Sequence, residues 1–210
     1  MAGTLFWDVD TQYDFMRADG KLYVPEAEQI IPKLRQLTDH AHRSGIRILA
    51  SAVDHVPAHR ELSDKPDFQE TFPPHCMHGT PGQRKIPETA LKDPLVIDPA
   101  PRAAAEVRAE VRSHQGDILV NKEWFDVFSN PNVEPVLDEL DPGHVVLYGV
   151  ALDVCNRYVV EGLLARRPQV KIVAVTDAMK PIDASRAEAL LAGWARRGVT
   201  LATTREATRL

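Results

Sequence analysis

Apolar and β-branched residues gather in short runs at 4–9, 46–53, 117–121, 144–150, 171–176 and 199–203. Runs of this length read as strands buried on both faces. Between them the apolar positions recur with a period near 3.6, over 25–43, 100–114, 133–140, 151–166 and 184–197, which reads as helix. Gly45, Gly116, Gly143 and Gly198 each stand between a helical stretch and the next strand, where a left-handed C-cap residue is expected. The alternation of strand and helix predicts an α/β fold: a three-layer, Rossmann-like arrangement with a mainly parallel sheet of about six strands and helices on both faces. Such sheets bind ligands beyond the carboxyl ends of their strands, so the chemistry is sought there.

The segment 54–88 breaks this pattern. It carries DHVPAH, FPPHC and HGTPG in succession, with no clean periodicity. A long irregular loop inside a compact fold is usually functional.

Length and charge narrow the class. The 210 residues fit one domain, 1–210, with a single core. A hydrophobic share of 44% and a charged share of 26% are those of a soluble globular protein, and no apolar run reaches the ~18 residues of a membrane span. The opening MAGTLFWDVD has neither a basic leader nor an apolar signal core, which points to the cytoplasm. A formal charge of −5 excludes a general nucleic-acid surface, leaving a small molecule as the expected partner. Two cysteines make no disulfide framework, so Cys76 and Cys155 are each either a buried hydrophobe or a working thiol.

Three strand ends converge on one chemistry. Asp10 closes the first strand in WDVDTQYDF, Lys122 follows the strand DILVN, and Cys155 follows HVVLYGV in the run GVALDVC. Each alone has an ordinary explanation: a turn carboxylate, a solvated lysine, a core thiol. Together they form an acid, a base and a nucleophile on one rim. A thiol at a helix N-terminus beside a lysine is expected to favour thiolate, with Asp10 accepting its proton and passing it to a leaving amine.

These motifs resemble the nicotinamidase and isochorismatase-like cysteine hydrolase superfamily. DTQYDF is similar to the family's DxQxDF opening, NKEWFDVF to its lysine motif, and GVALDVC to the segment ending in the nucleophile. The resemblance spans nearly the whole chain and implies a triad of Asp10, Lys122 and Cys155. It also implies a cis peptide between Val150 and Ala151, with the amides of Ala151 and Cys155 as an oxyanion hole. Isochorismatase itself is set aside, because those enzymes cleave a vinyl ether and lack the cysteine at this position. Phe15, Phe72 and Trp124 fall at or beside positions where the family places pocket aromatics.

The implied activity is hydrolysis of a small, ring-bearing amide to acid and ammonia through a thioester. A metal-free relative acting on maleamate, a carbamoyl compound or another small amide is the second reading, and a catalytically silent binding protein on the same fold the third. The resemblance further implies a homo-oligomer and no organic cofactor.

FPPHCMHGTPG resembles the nicotinamidase loop in which a histidine binds a divalent metal, and so assigns His75. The carboxylate-histidine pair that completes such sites is altered. Aligning His55 and His59 puts Val53 where the acid belongs and leaves Asp54 one residue out of register, on the opposite face of the strand. The candidate ligands are therefore His55, His75 and Asp54, with His59 or waters in reserve, and the sequence leaves open whether zinc, iron or manganese is held. Cys76 is read as structural. HGTPGQRK lacks the ending of a phosphate loop.

Overall fold

The computed structural model describes residues 3–209, so the outermost residues of the 1–210 span lie outside it. Seven parallel strands form one sheet in the order β3-β4-β2-β1-β5-β6-β7: β1 Thr4–Val9, β2 Ile48–Val53, β3 Leu95–Ile97, β4 Ile118–Lys122, β5 His144–Val150, β6 Lys171–Lys180 and β7 Thr200–Ala202. The strand beyond the expected six is β3, a three-residue edge strand in DPLVIDP, too short to give a periodic signal.

Alternation along β1 shows how the sheet divides the molecule. Leu5, Trp7 and Val9 face one core, and Phe6 faces the other. The first core packs against α3 Ala104–Ser113, α4 Val133–Leu140, α5 Cys155–Arg166 and α6 Ala184–Arg196. The second packs against α2 Ile31–Arg43. Full burial of a side chain such as Leu34 or Ile48 contributes about 1.5–3 kcal/mol, so both layers are held by this apolar surface. The short helices α1 Tyr13–Met16 and α7 Thr204–Ala207 complete the set, and no helix among the described residues is long and apolar enough to cross a membrane.

Prolines shorten two of the expected helices. Pro99 and Pro101 keep the chain out of helix until Ala104, and the stretch before α2 winds as a 3-10 turn over Ala27–Ile30 that leads into Pro32. Gly45 and Gly198 take the left-handed conformation expected of C-caps, with φ of 66° and 90°. Gly143 does not, because Asp141 at φ 37° already ends α4. Gly116 is not left-handed either; it is small because a Cβ there would meet the Asp93 carbonyl oxygen at 2.0 Å.

The segment 54–88 is irregular but tied down. His55 bridges to Met77 and Leu62 to Phe72, and the Phe72 amide donates to the Glu61 carbonyl at 2.7 Å. From the sheet side, the Gln12 amide holds Val53 through both its N–H and its carbonyl and also donates to the Gln83 carbonyl. Lys85 reaches buried Asp8 at 2.8 Å, and Asp14 accepts the Cys76 amide at 2.7 Å. The loop is thereby clamped across the carboxyl ends of β1, β2 and β4.

Candidate functional site

Asp10 follows β1 directly in a left-handed turn, φ 50°. Lys122 is the last residue of β4, in register with Val53 at the end of β2. Cys155 is the first residue of α5. The predicted helix over 151–166 begins four residues later than expected, because 151–154 form the turn off β5, opened by a cis Val150–Ala151 peptide.

These three ends meet below a cavity. The Lys122 ammonium lies 2.9 Å from Asp10 Oδ2 and 3.5 Å from Cys155 Sγ, and donates to the Trp124 carbonyl at 3.0 Å. Ser51 donates to the other Asp10 oxygen at 3.0 Å. Asp10 and Lys122 are fully buried and Cys155 nearly so. Burial alone would discharge Lys122, but Asp10, Cys155 and Glu61 more than offset it and keep it a cation.

The thiol itself departs from the expectation drawn from sequence. Burial pushes Cys155 well above its ordinary value, Asp10 pushes it further, and Lys122 only partly opposes them. Sequence proximity to a lysine and a helix N-terminus pointed to a preformed thiolate. The geometry explains the reversal: the lysine's charge is already matched by Asp10 at 2.9 Å, so the sulfur meets a neutralised pair in a buried site. The proton stays on sulfur beside a carboxylate placed to take it. Cys76 is pushed up likewise by burial and Asp14, and it packs in the second core, as a structural cysteine would.

The cavity is lined by Phe15, Phe72 and Phe125, with Ala151, Val154 and Cys155 at its base. No backbone carbonyl among the described residues accepts from the Ala151 or Cys155 amides, which leaves both donors free for an oxygen above Sγ. Trp124 is a correction: its ring lies outside, in a separate surface pocket with His59 and Glu123, under the Arg60 guanidinium at 3.9 Å. The Trp124 ring packs against Phe125 from outside, centroids 4.3 Å apart, and Phe125 takes the inner place, edge-on to Phe72.

The ligand set is the second correction. Asp54 points away and pairs with exposed His78 at 2.9 Å, because strand alternation runs on past Val53, whose side chain faces the cavity. The carboxylate comes from Glu61 instead. Its oxygens lie 3.6 Å from His55 Nε2 and 3.4 Å from His75 Nε2, all three side chains are buried, and one ligand atom from each falls within 4.8 Å of the others. No sequence signal marks Glu61: it sits six residues beyond His55 in aperiodic loop and is brought in only by the ladder between 61–63 and 72.

The protonation of this cluster suits a cation. His75 Nδ1 donates to the Pro73 carbonyl at 2.8 Å, which orients the ring with Nε2 toward Glu61. His55 Nδ1 lies 3.1 Å from His59 Nδ1, and His59 Nε2 reaches toward Glu123 at 3.5 Å. His59 is therefore a support for the His55 ring and not a ligand. Burial pushes the His55 pKa down, with Glu61 restoring it only in part. Burial would raise Glu61, but the two imidazoles and Lys122 reverse that and bring it down to about 2. A neutral imidazole and an ionised carboxylate are the forms a metal binds. His55 Nε2, His75 Nε2 and Glu61 Oε2 are moreover buried without hydrogen-bond partners, so the residues present fit a divalent ion.

Comparison with known proteins agrees with this architecture. A family model, the isochorismatase domain, matches residues 5–206. No curated protein sequence matches the chain. Among solved structures, pyrazinamidase of Pyrococcus horikoshii in complex with zinc superposes with a TM-score of 0.74 at 22% identity, over 95% of this chain and 98% of that one. Nicotinamidase/pyrazinamidase from Bacillus subtilis gives 0.73 at 18%, over 95% and 99%. N-carbamoylsarcosine amidase from Thermoplasma acidophilum gives 0.70 at 23%, over 96% of each. At these identities the likeness is one of fold.

Proposed function

We infer, for a chain that belongs to the isochorismatase domain family of hydrolases, that it is a cysteine amidohydrolase of nicotinamidase type, cleaving a small amide to acid and ammonia. The observation that carries this reading is the single ammonium of Lys122, held between the Asp10 carboxylate and the Cys155 sulfur at the floor of an apolar cavity. The zinc complex of the P. horikoshii neighbour and the His55-Glu61-His75 cluster support a metal-assisted version.

In this mechanism the substrate carbonyl sits over Sγ with its oxygen toward the Ala151 and Cys155 amides. As Sγ attacks the carbonyl carbon, Asp10 takes the thiol proton, so negative charge never rests on sulfur without a partner. The two amides receive the oxyanion. Asp10 then returns the proton to the leaving nitrogen, and ammonia departs to leave a thioester on Cys155. Water, deprotonated by Asp10, attacks the thioester and releases the acid with the thiol restored. Lys122 holds the carboxylate in place throughout. A divalent ion on His55, Glu61 and His75, when bound, supplies an electrophilic anchor for a ring nitrogen or a water. Phe15, Phe72 and Phe125 supply apolar walls beside the reacting amide, and Phe72 and Phe125 extend them outward.

Ammonia release across a panel of primary amides, with and without added divalent metal, tests the reading. Turnover is expected for at least one small amide and is abolished by Cys155→Ala, while Cys76→Ala keeps most of it. Substantial turnover in the Cys155 variant would refute the mechanism.

A further inference from the structure

The cavity over Cys155 continues outward. Its inner chamber has a free volume of about 30 Å³, room for roughly two waters, whereas the chamber directly outside it measures about 540 Å³. Leu22, Phe72, Phe125, Val154 and Ile182 line both, so the two form one passage with an apolar waist. A reacting carboxamide fits the inner part; most of any larger substrate has to lie in the outer part.

The outer chamber brings charge. Asp153, Arg157, Asp183 and Arg186 line it, and three of them are engaged. Asp183 pairs with Arg186 at 3.0 Å and accepts from Ser185 through its other oxygen. Asp153 accepts the Ile182 and Asp183 amides at 2.8 and 2.9 Å, one on each oxygen. Arg157 differs. Its Nε donates to the Asp153 carbonyl at 3.1 Å and its guanidinium lies 5.0 Å over the Tyr158 ring. Among the described residues, no carboxylate pairs with it and its two terminal nitrogens donate to nothing. It stands two residues after Cys155 on the first turn of α5, where the helix end adds positive potential.

We propose that the outer chamber is a subsite for an anionic group, and that the substrate is an elongated amide: its carboxamide passes the apolar waist to Cys155, and a carboxylate at its far end binds Arg157. The planar fork of guanidinium N–H groups matches a carboxylate in geometry and charge. This rests on the amidohydrolase reading above, and it separates the substrate class from a compact aromatic amide.

The test compares primary amides of increasing chain length that end in carboxylate with primary amides of the same length that end in methyl. At the best length, kcat/KM favours the carboxylate by about tenfold or more, the scale of one charge-assisted hydrogen bond, and the preference shrinks at high salt. Arg157→Gln removes the preference, and Arg157→Glu transfers it to amides ending in ammonium. No preference in the parent protein, or an unchanged one in Arg157→Gln, overturns the subsite and leaves the hydrolase reading standing. Absence of ammonia from both series, and from compact amides, overturns the hydrolase reading and this inference with it.

Discussion

Replacing Lys122 by Met keeps the apolar stem and removes the one ammonium that touches both Asp10 and Cys155. At 3.5 Å and an effective dielectric of about 20, its attraction for a developing thiolate is about 4 to 5 kcal/mol. The thiol, already pushed up by burial and Asp10, loses the charge that opposes them and rises further. Alkylation of Cys155 by iodoacetamide, followed against pH, is then expected to slow by roughly a thousandfold at neutral pH, and kcat/KM to fall on the same scale. Stability falls too, since removing one partner of a buried pair costs roughly 3–5 kcal/mol. The double variant Asp10→Asn/Lys122→Met is expected to recover part of that loss, because no unpaired carboxylate is left buried. Urea unfolding measures the stability arm and separates misfolding from lost chemistry. A folded Lys122→Met protein whose alkylation profile matches the parent would mean that Lys122 does not act on the sulfur.

Three further expectations concern the corrected residues. Glu61→Gln removes the only anion from the His55-Glu61-His75 cluster, so metal measured by elemental analysis after purification should drop from near one per chain to a small fraction; equal metal in both proteins would show that Glu61 is not a ligand. In the metal-free protein, Glu61 ionises at about 2 instead of 4.5. A lowered folded pKa means its stabilisation, about 3 kcal/mol, is complete above pH ~4.5 and is lost as pH falls toward about 2, a slope that urea titrations should show in the parent and not in Glu61→Gln. Finally, Phe125→Ala opens the cavity wall and should raise KM about tenfold or more, whereas Trp124→Ala, on the outer face, should change it little; the reverse order would restore Trp124 to the pocket.

Sequence by itself determined the parallel sheet, all but its edge strand β3, and the meeting of Asp10, Lys122 and Cys155. Both rest on local rules: buried parallel strands are continuous apolar runs, and in a parallel α/β sheet every strand end lies on one rim, so Asp10, Lys122 and Cys155 had to converge once their strands were recognised. The register of Val53 and Asp54 was legible for the same reason, yet Asp54 still stood among the candidate ligands, and only the fold, which pairs it with His78, removed it. Tertiary structure decided what lay in aperiodic chain. Glu61 and Phe125 carry no periodic mark; their inward positions follow from a loop folded back on itself through the Glu61-Phe72 backbone bond and from the sense of the turn after Lys122. It also decided the state of the nucleophile. The sequence places a lysine and a helix N-terminus beside Cys155, but only the folded chain buries the thiol and sets Asp10 2.9 Å from that lysine, and burial together with this neutralisation is what keeps the proton on sulfur.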